Sequence, residues 1–388
     1  MKNPLVVLKS LNKTKHFRLY LILIVLGLIT LFSVAYYFYF QQGRLSNNSG
    51  NTRQSQGWGQ RPGGAQDFGG SPSTAKKSRW NGPIPNPPKD KITYYKGLWA
   101  GNLFYPEERT GLIYDPKVYR EWGVNILNIA PGFEINSKGE VRYPIDYPTY
   151  DDIDARIGEL AEKYYKANIY LAMTILVTYK KEFSKPGEEW AGAPIELPKE
   201  IVVKPGYLDK LSVVVEDMAK IAQKYHLEMF APMGEPENLF GVKVASSWNQ
   251  EILPKIRKNY QGKIYYKGDL HNGEGENLNF KGYDVLGIMP HPAPPPTDLE
   301  ELRKVIDFNM DRGLVWAKRD GIPEVVVAEH GFKGENEMWP AEDIGIVLEE
   351  GKKKLNGVYL SEPPAVVLKT INGEQIVGEM KRWFYEKQ

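Results

Sequence analysis

Phe230-Ala-Pro-Met-Gly-Glu-Pro-Glu-Asn238 is a short apolar run that stops abruptly on Gly-Glu-Pro, and it carries Glu235. A second run, Val325-Val-Val-Ala-Glu-His-Gly-Phe332, stops the same way on Glu329. An apolar run that ends in a carboxylate and a tight turn fits a buried strand whose last residue reaches an open rim. If both runs are parallel strands of one barrel, their carboxyls point into a single cleft at the C-terminal rim, where such barrels keep their chemistry.

Working outward from these two runs, six more apolar stretches recur at intervals of roughly 30 to 40 residues, the spacing of repeated βα units. The full set is Tyr95 to Ala100, Val124 to Ala130, Ile169 to Val177, Glu228 to Met233, Lys263 to Lys267, Val285 to Met289, Val325 to Ala328 and Gly357 to Leu360. Between them lie segments of helical period. Asp151 to Lys166 is one, and Leu208 to Tyr225 is another, with Leu211, Val214, Val215, Met218, Ile221 and Ala222 on one side. Thr297-Asp-Leu-Glu300 reads as a capping box that opens a helix running to about Arg319. Eight strands with intervening helices point to an α/β fold, a (β/α)8 TIM barrel over residues 91–388. No Gly-rich dinucleotide loop follows any early strand, which argues against a doubly wound sheet.

The N-terminal part has a different composition. Residues 1–18 are basic, with Lys2, Lys9, Lys13, Lys15 and Arg18 and no acid. Residues 19–40 contain no charged side chain, and a helix of that length rises about 33 Å, enough to cross a hydrocarbon core. The charge asymmetry puts the N-terminus inside, and Tyr36-Tyr-Phe-Tyr-Phe40 forms an aromatic belt at the outer interface. The expectation is a transmembrane signal anchor with the lipid bilayer as its partner, a cell-membrane location and an extracellular barrel; a cleaved signal peptide is the alternative. Residues 41–90, rich in Gly, Ser, Asn and Pro, read as a flexible linker.

Charge excludes one class of partner. Net charge is +2 over 388 residues, but residues 1–90 hold twelve Lys/Arg against two Asp/Glu, leaving 38 against 46 and a balance of −8 in the remainder. The barrel therefore lacks the basic stripe that nucleic acid binding requires. There is no cysteine, so thiol catalysis and disulfide stapling are both excluded.

With the two glutamate turns in view, the sequence resembles the retaining glycoside hydrolases of clan A, in which an acid/base Glu follows strand four and a nucleophile Glu follows strand seven. Gly234-Glu235-Pro236 matches the first turn and Ala328-Glu329-His330-Gly331-Phe332 the second. Asp284 to Ile288 and Gly357 to Pro363 also look like this clan, and the resemblance covers roughly residues 95 to 385. It implies a carbohydrate substrate, no cofactor and no metal, with Glu329 attacking the anomeric carbon and Glu235 protonating the leaving oxygen. Glu329 would be kept ionised by hydrogen bonds and Glu235 kept protonated by its neighbour's charge. Two positions depart from the clan: Gly234 stands where Asn usually precedes the acid/base, and about Ser361 stands where a Trp usually ends strand eight.

The strand ends supply candidates for binding a sugar: Trp99, Asn128, Tyr179, Asn238, Asp269, His271, His291, His330 and Trp339. For His291, a site role and a turn histidine among prolines stand level, as do a stacking face and a loop anchor for Trp339. Trp190 and Trp248 are candidates for outer subsites, whereas Trp122, Trp316 and Trp383 fall in helical patterns and read as core. Two other functions stay open. Asp269, His271, His291 and His330 crowd strands five to seven as a metal site would, although strand one lacks the His-x-His of barrel metallohydrolases. A glycan-binding barrel without turnover would account for Gly234 and the missing Trp.

Overall fold

The computed structural model describes residues 80–103, 115–142, 149–183, 206–270, 273–292, 296, 298–334, 337–361 and 371–385. Among them no helix is long and apolar enough to cross a membrane. The expected span 19–40 and the tether from 41 to 79 lie outside the described residues.

Eight parallel strands close into a barrel: β1 Tyr95–Asn102, β2 Ile126–Ala130, β3 Tyr170–Thr174, β4 Met229–Ala231, β5 Lys263–Lys267, β6 Val285–Ile288, β7 Glu324–Val327 and β8 Gly357–Ser361. β1 pairs with both β2 and β8, so the sheet has no edge. Apart from the third, each strand matches a run identified from sequence to within two residues at either end. The third differs at its end. Pairing with β4 stops at Thr174, and residues Leu176–Tyr179 leave the barrel to pair with Gly132–Ile135 in a small three-stranded sheet. Glu134, buried in that sheet, accepts from Arg142 at 2.8 Å.

The outer layer is α1 Pro116–Glu121, α2 Tyr150–Tyr165, α3 Tyr207–Lys224, α4 Val242–Asn259, α5 Leu299–Asp320, α6 Ala341–Lys354 and α7 Ile371–Tyr385. α3 buries Leu211, Val214, Val215, Met218, Ile221 and Ala222, and each large apolar side chain so buried contributes about 1.5–3 kcal/mol. α5 is capped by Asp298, whose carboxylate accepts from Glu301 N at 2.8 Å, one residue later than the expected Thr297 box. The shift is simple: Asp caps as well as Thr, and the helix starts where an acceptor reaches the third amide. Between β5 and β6 the described residues hold only the single 3-10 turn Glu274–Glu276.

The barrel interior is filled by Tyr95, Ile126, Ala172, Met229, Ala231, Tyr265, Val285, Val326, Ala328 and Tyr359. Tyr265 and Tyr359 stack at 6.2 Å between centroids. Gly97 and Gly287 make room for them: a Cβ on Gly97 would run into the Tyr359 ring, and one on Gly287 into the Tyr265 ring. The N-terminal end is closed by an ionic plug. Lys263 Nζ lies 2.8 Å from Glu324 Oε1, and the Tyr95 hydroxyl donates to Glu324 at 3.1 Å and to Glu228 at 3.3 Å.

The chain enters at that plugged end. Tyr170, the first residue of β3, donates its hydroxyl to the carbonyls of Pro88 and Asp90, and Trp80 packs against the core beside Gly158. The sequence reading carried the tether to Asp90; Trp80 already packs beside Gly158 of α2, and Pro88 and Asp90 lie at the start of β3, the end opposite the C-terminal mouth.

Candidate active site

At the C-terminal mouth, β4 is prolonged by a bridge between Gly234 and Lys267 of β5, and Glu235 N donates to Lys267 O at 2.7 Å. The chain then turns sharply. Glu235 adopts φ 52°, ψ 52°, a left-handed conformation that costs a non-glycine residue about 1–2 kcal/mol. It precedes the short helix Pro236–Phe240, whose proline sits at the first turn where no amide partner is missed. The strained turn aims the Glu235 carboxyl across the mouth rather than along the strand.

Glu329 reaches the same mouth from β7. Pairing of β7 with β6 ends at Val327, Ala328 still faces the interior, and Glu329 follows on the turn. Its Oε1 accepts from the Ser361 hydroxyl of β8 at 3.0 Å, and its Oε2 lies 3.1 Å from Lys267 Nζ. The same ammonium donates to Glu235 Oε1, while Asn238 Nδ2 donates to Glu235 Oε2 at 3.3 Å and to Asp269 Oδ2 at 3.2 Å. One hydrogen-bonded web thus runs from Asp269 through Asn238, Glu235, Lys267 and Glu329 to Ser361. Because a single nitrogen touches both carboxylates, their facing oxygens lie no more than about 6 Å apart.

Lys267 is the member that the sequence reading missed, and it changes the electrostatics. Burial alone would strip its proton, but Glu235 and Glu329 outweigh burial and hold the ammonium well above the usual lysine range. The expected asymmetry relied on carboxylates repelling one another; here a cation stands between them. A signal for it existed. Tyr265 faces the interior while Ile264 and Tyr266 face the helices, so period two sends Lys267 inward. Its ammonium lies 5.1 Å from the centroid of the Trp99 ring on β1.

Behind the pair sits a third carboxyl. Glu237 is buried, accepts from the Tyr266 hydroxyl at 2.6 Å and from Asp269 N at 2.5 Å, and is pushed up to about 7, chiefly by burial. It ties the short helix after β4 to the turn after β5, which keeps Asn238 and Asp269 together.

The other candidates separate by position. Trp99, Asn238 and Asp269 belong to the web or line it. Asn128 is fully buried on β2 and donates to Thr174 Oγ1 at 3.0 Å. Tyr179 ends the small sheet, half-buried and packed against the outer core. His291, His330 and Trp339 form a stack beside the mouth: His291 lies 3.9 Å from Trp339 and 5.1 Å from His330. One face of Trp339 is therefore covered by His291. His330 is buried, its Nε2 meets no hydrogen-bond partner among the described residues, and burial, with a smaller push from His291, holds its imidazole well below the usual histidine range. His271 and Trp190 lie outside the described residues. Trp248 is no outer subsite: it is buried in α4, where its indole donates to Ser212 Oγ at 3.3 Å. Trp122 and Trp316 are core, as read, and Trp383 packs half-buried against it. Among the described residues no group of three His, Asp or Glu side chains is arranged to hold a metal ion.

The class defined by this geometry is a (β/α)8-barrel protein with an acidic pair facing across its C-terminal mouth. Its likeness to clan A glycoside hydrolases extends to the whole barrel. The fold is similar to that of a β-mannanase of glycoside hydrolase family 113 from Alicyclobacillus acidocaldarius, with a TM-score of 0.54, 15% identity, and 76% of this chain and 98% of that one covered. A family 5 glycoside hydrolase from Prevotella bryantii gives a TM-score of 0.52 at 12% identity, covering 76% and 96%. Thermotoga maritima Cel5A, solved with mannotriose as substrate, gives 0.51 at 15%, covering 75% and 100%. No protein-family profile matches the sequence, and no curated protein matches it.

Proposed function

We propose that this chain is a glycoside hydrolase that cleaves a β-linked oligo- or polysaccharide by a retaining double displacement. Glu329 is the nucleophile and Glu235 the acid/base. The observation that carries the reading is the meeting of these two carboxylates, from the ends of β7 and β4, on a single ammonium. A separation of no more than about 6 Å between facing oxygens is compatible with the 5–5.5 Å expected of a retaining pair. The structural neighbours, a β-mannanase and a Cel5A solved with mannotriose among them, favour a β-linked chain of hexoses. In the first step Glu329 bonds to the anomeric carbon as Glu235 gives its proton to the leaving oxygen; in the second, Glu235 takes a proton from water as water displaces Glu329. Trp99, Asn238, Asp269 and Trp339 line the ring's path.

Residues 19–40 anchor the protein in the cell membrane with the barrel outside. The uncharged run of 22 residues behind a basic N-terminus supports this reading. Alkaline extraction of membranes tests it, since an anchored chain stays in the pellet.

The hydrolase reading is tested by incubating the protein with mannan-, glucan- and xyloglucan-type polymers and following product anomers by NMR. Initial release of the β-anomer supports retention; initial α-anomer overturns it. A second reading is favoured by Lys267 and Gly234: a surface glycan-binding barrel with no turnover, its gap filled by an ammonium. Glycan binding without any product on the same panel would select it.

A further inference from the structure

The gap between Glu235 and Glu329 is where a glycosidic bond has to lie if the pair cleaves it, and an ammonium already stands there. The Lys267 side chain is 2% exposed, reaches Glu235, and lies 3.1 Å from Glu329 Oε2. With both carboxylates ionised, the three groups carry one negative charge instead of two. Trp99 supplies a ring face to the same ammonium, and the phenol of Tyr265, on Lys267's own strand, also acts on it. Glu237 and Asp269 stand one step further off, behind Glu235 and Asn238. Beside the lysine stem, Gly234 offers bare backbone: a Cβ there would come 2.9 Å from Leu176 Cδ2 and 3.7 Å from Lys267 Cδ. At 3.7 Å such a Cβ would only touch the lysine stem, whereas at 2.9 Å it would run into Leu176, so it is Leu176 that requires the bare backbone there.

We propose that Lys267 is a positioning residue, the built-in counter-ion of the empty site, which gives up the two carboxylates when a sugar ring enters and turns its N–H groups to the ring's hydroxyls. This rests on the glycosidase reading of the pair. It makes the site one for neutral, hydroxyl-rich rings and a poor one for cationic rings, because the positive charge that two carboxylates attract is already supplied by the chain.

The test uses the full chain in detergent as wild type, K267R, K267Q and K267M, titrated calorimetrically with the protonated iminosugars deoxynojirimycin and deoxymannojirimycin. Thermal unfolding of the same proteins is followed from about pH 4 to 9. K267Q and K267M bind an iminosugar about ten-fold or more tighter than wild type, and K267R keeps wild-type affinity. The two neutral variants also lose more stability than wild type as pH rises through the carboxylate range, an excess over the fall that Glu237 imposes on every variant and one that K267M/E235Q does not show. If wild type binds an iminosugar and folded K267Q and K267M bind it no better, the proposal is overturned while the glycosidase reading stands. If no protein binds either iminosugar, displacement by a sugar is overturned, and the glycosidase reading is decided separately by turnover on the polymer panel. The unfolding profile then decides the counter-ion role by itself, and neutral variants with the wild-type profile overturn it.

Discussion

Ser361 donates its hydroxyl to Glu329 Oε1 at 3.0 Å from the neighbouring strand, and its own backbone N donates to His330 O at 2.7 Å. The two bonds lock the end of β8 onto the turn that carries Glu329, so a carboxylate on a turn is held as firmly as one on a strand. Removing the hydroxyl leaves the carboxylate less well aimed. Ser361→Ala is expected to lower kcat by about ten- to hundred-fold, the worth of a hydrogen bond to a charged group, with a smaller change in KM. Steady-state kinetics on the best polymer substrate checks it, and a pure KM effect would show that Ser361 binds sugar instead.

The acid and the nucleophile are separable by leaving group. Glu235→Gln should reduce polysaccharide hydrolysis by about 10²- to 10⁴-fold but spare formation of the glycosyl-enzyme from an aryl glycoside, whose phenol departs without a proton. Glu329→Gln should abolish turnover of both. Pre-steady-state bursts of nitrophenol distinguish the two; equal losses on both substrates from Glu235→Gln would remove it from the acid role.

Glu237 makes stability fall as pH rises. Its carboxyl titrates at about 7 in the folded chain against a usual value of 4.5, so the folded state holds the proton more tightly and is favoured at low pH. That advantage is fully present below about pH 4.5 and is lost as pH climbs to about 7, amounting to about 3 kcal/mol. Glu237→Gln should flatten this slope in a series of melting curves. A slope unchanged by the substitution would assign it to another group.

Gly287 lies over Tyr265 inside the barrel. A methyl group there cannot be accommodated without moving the ring that stacks on Tyr359, so Gly287→Ala is expected to cost about 1–3 kcal/mol of stability. Denaturant unfolding measures it, and because Gly287 pairs with Lys267 across β5 and β6, sugar binding at the mouth should weaken along with stability.

Much of the barrel was legible because each strand is a short apolar run closed by polar residues, and eight such runs can bury their faces only by closing on one another. Where the third run passes from β3 into the small sheet was not legible, since Ile175, Leu176 and Val177 are as apolar as the barrel residues before them. His330 shows the limit of alternation: counting by two from Ala328 sends it inward and Glu329 outward, but strand pairing ends at Val327 and the turn reverses them. Trp248 read as a loop aromatic and is a helix core residue, because periodicity in Val242–Asn259 is masked by polar neighbours and an internal Pro254.

By itself the sequence determined that two glutamates would close two strands of one barrel, since local apolar runs and turn residues act over a few positions. Only the tertiary structure decided what lies between them. Lys267 is 32 residues from Glu235 and 62 from Glu329 in the chain, and whether its ammonium meets both depends on barrel closure and on the left-handed turn at Glu235. Those are relations between strands, which no single stretch of residues carries.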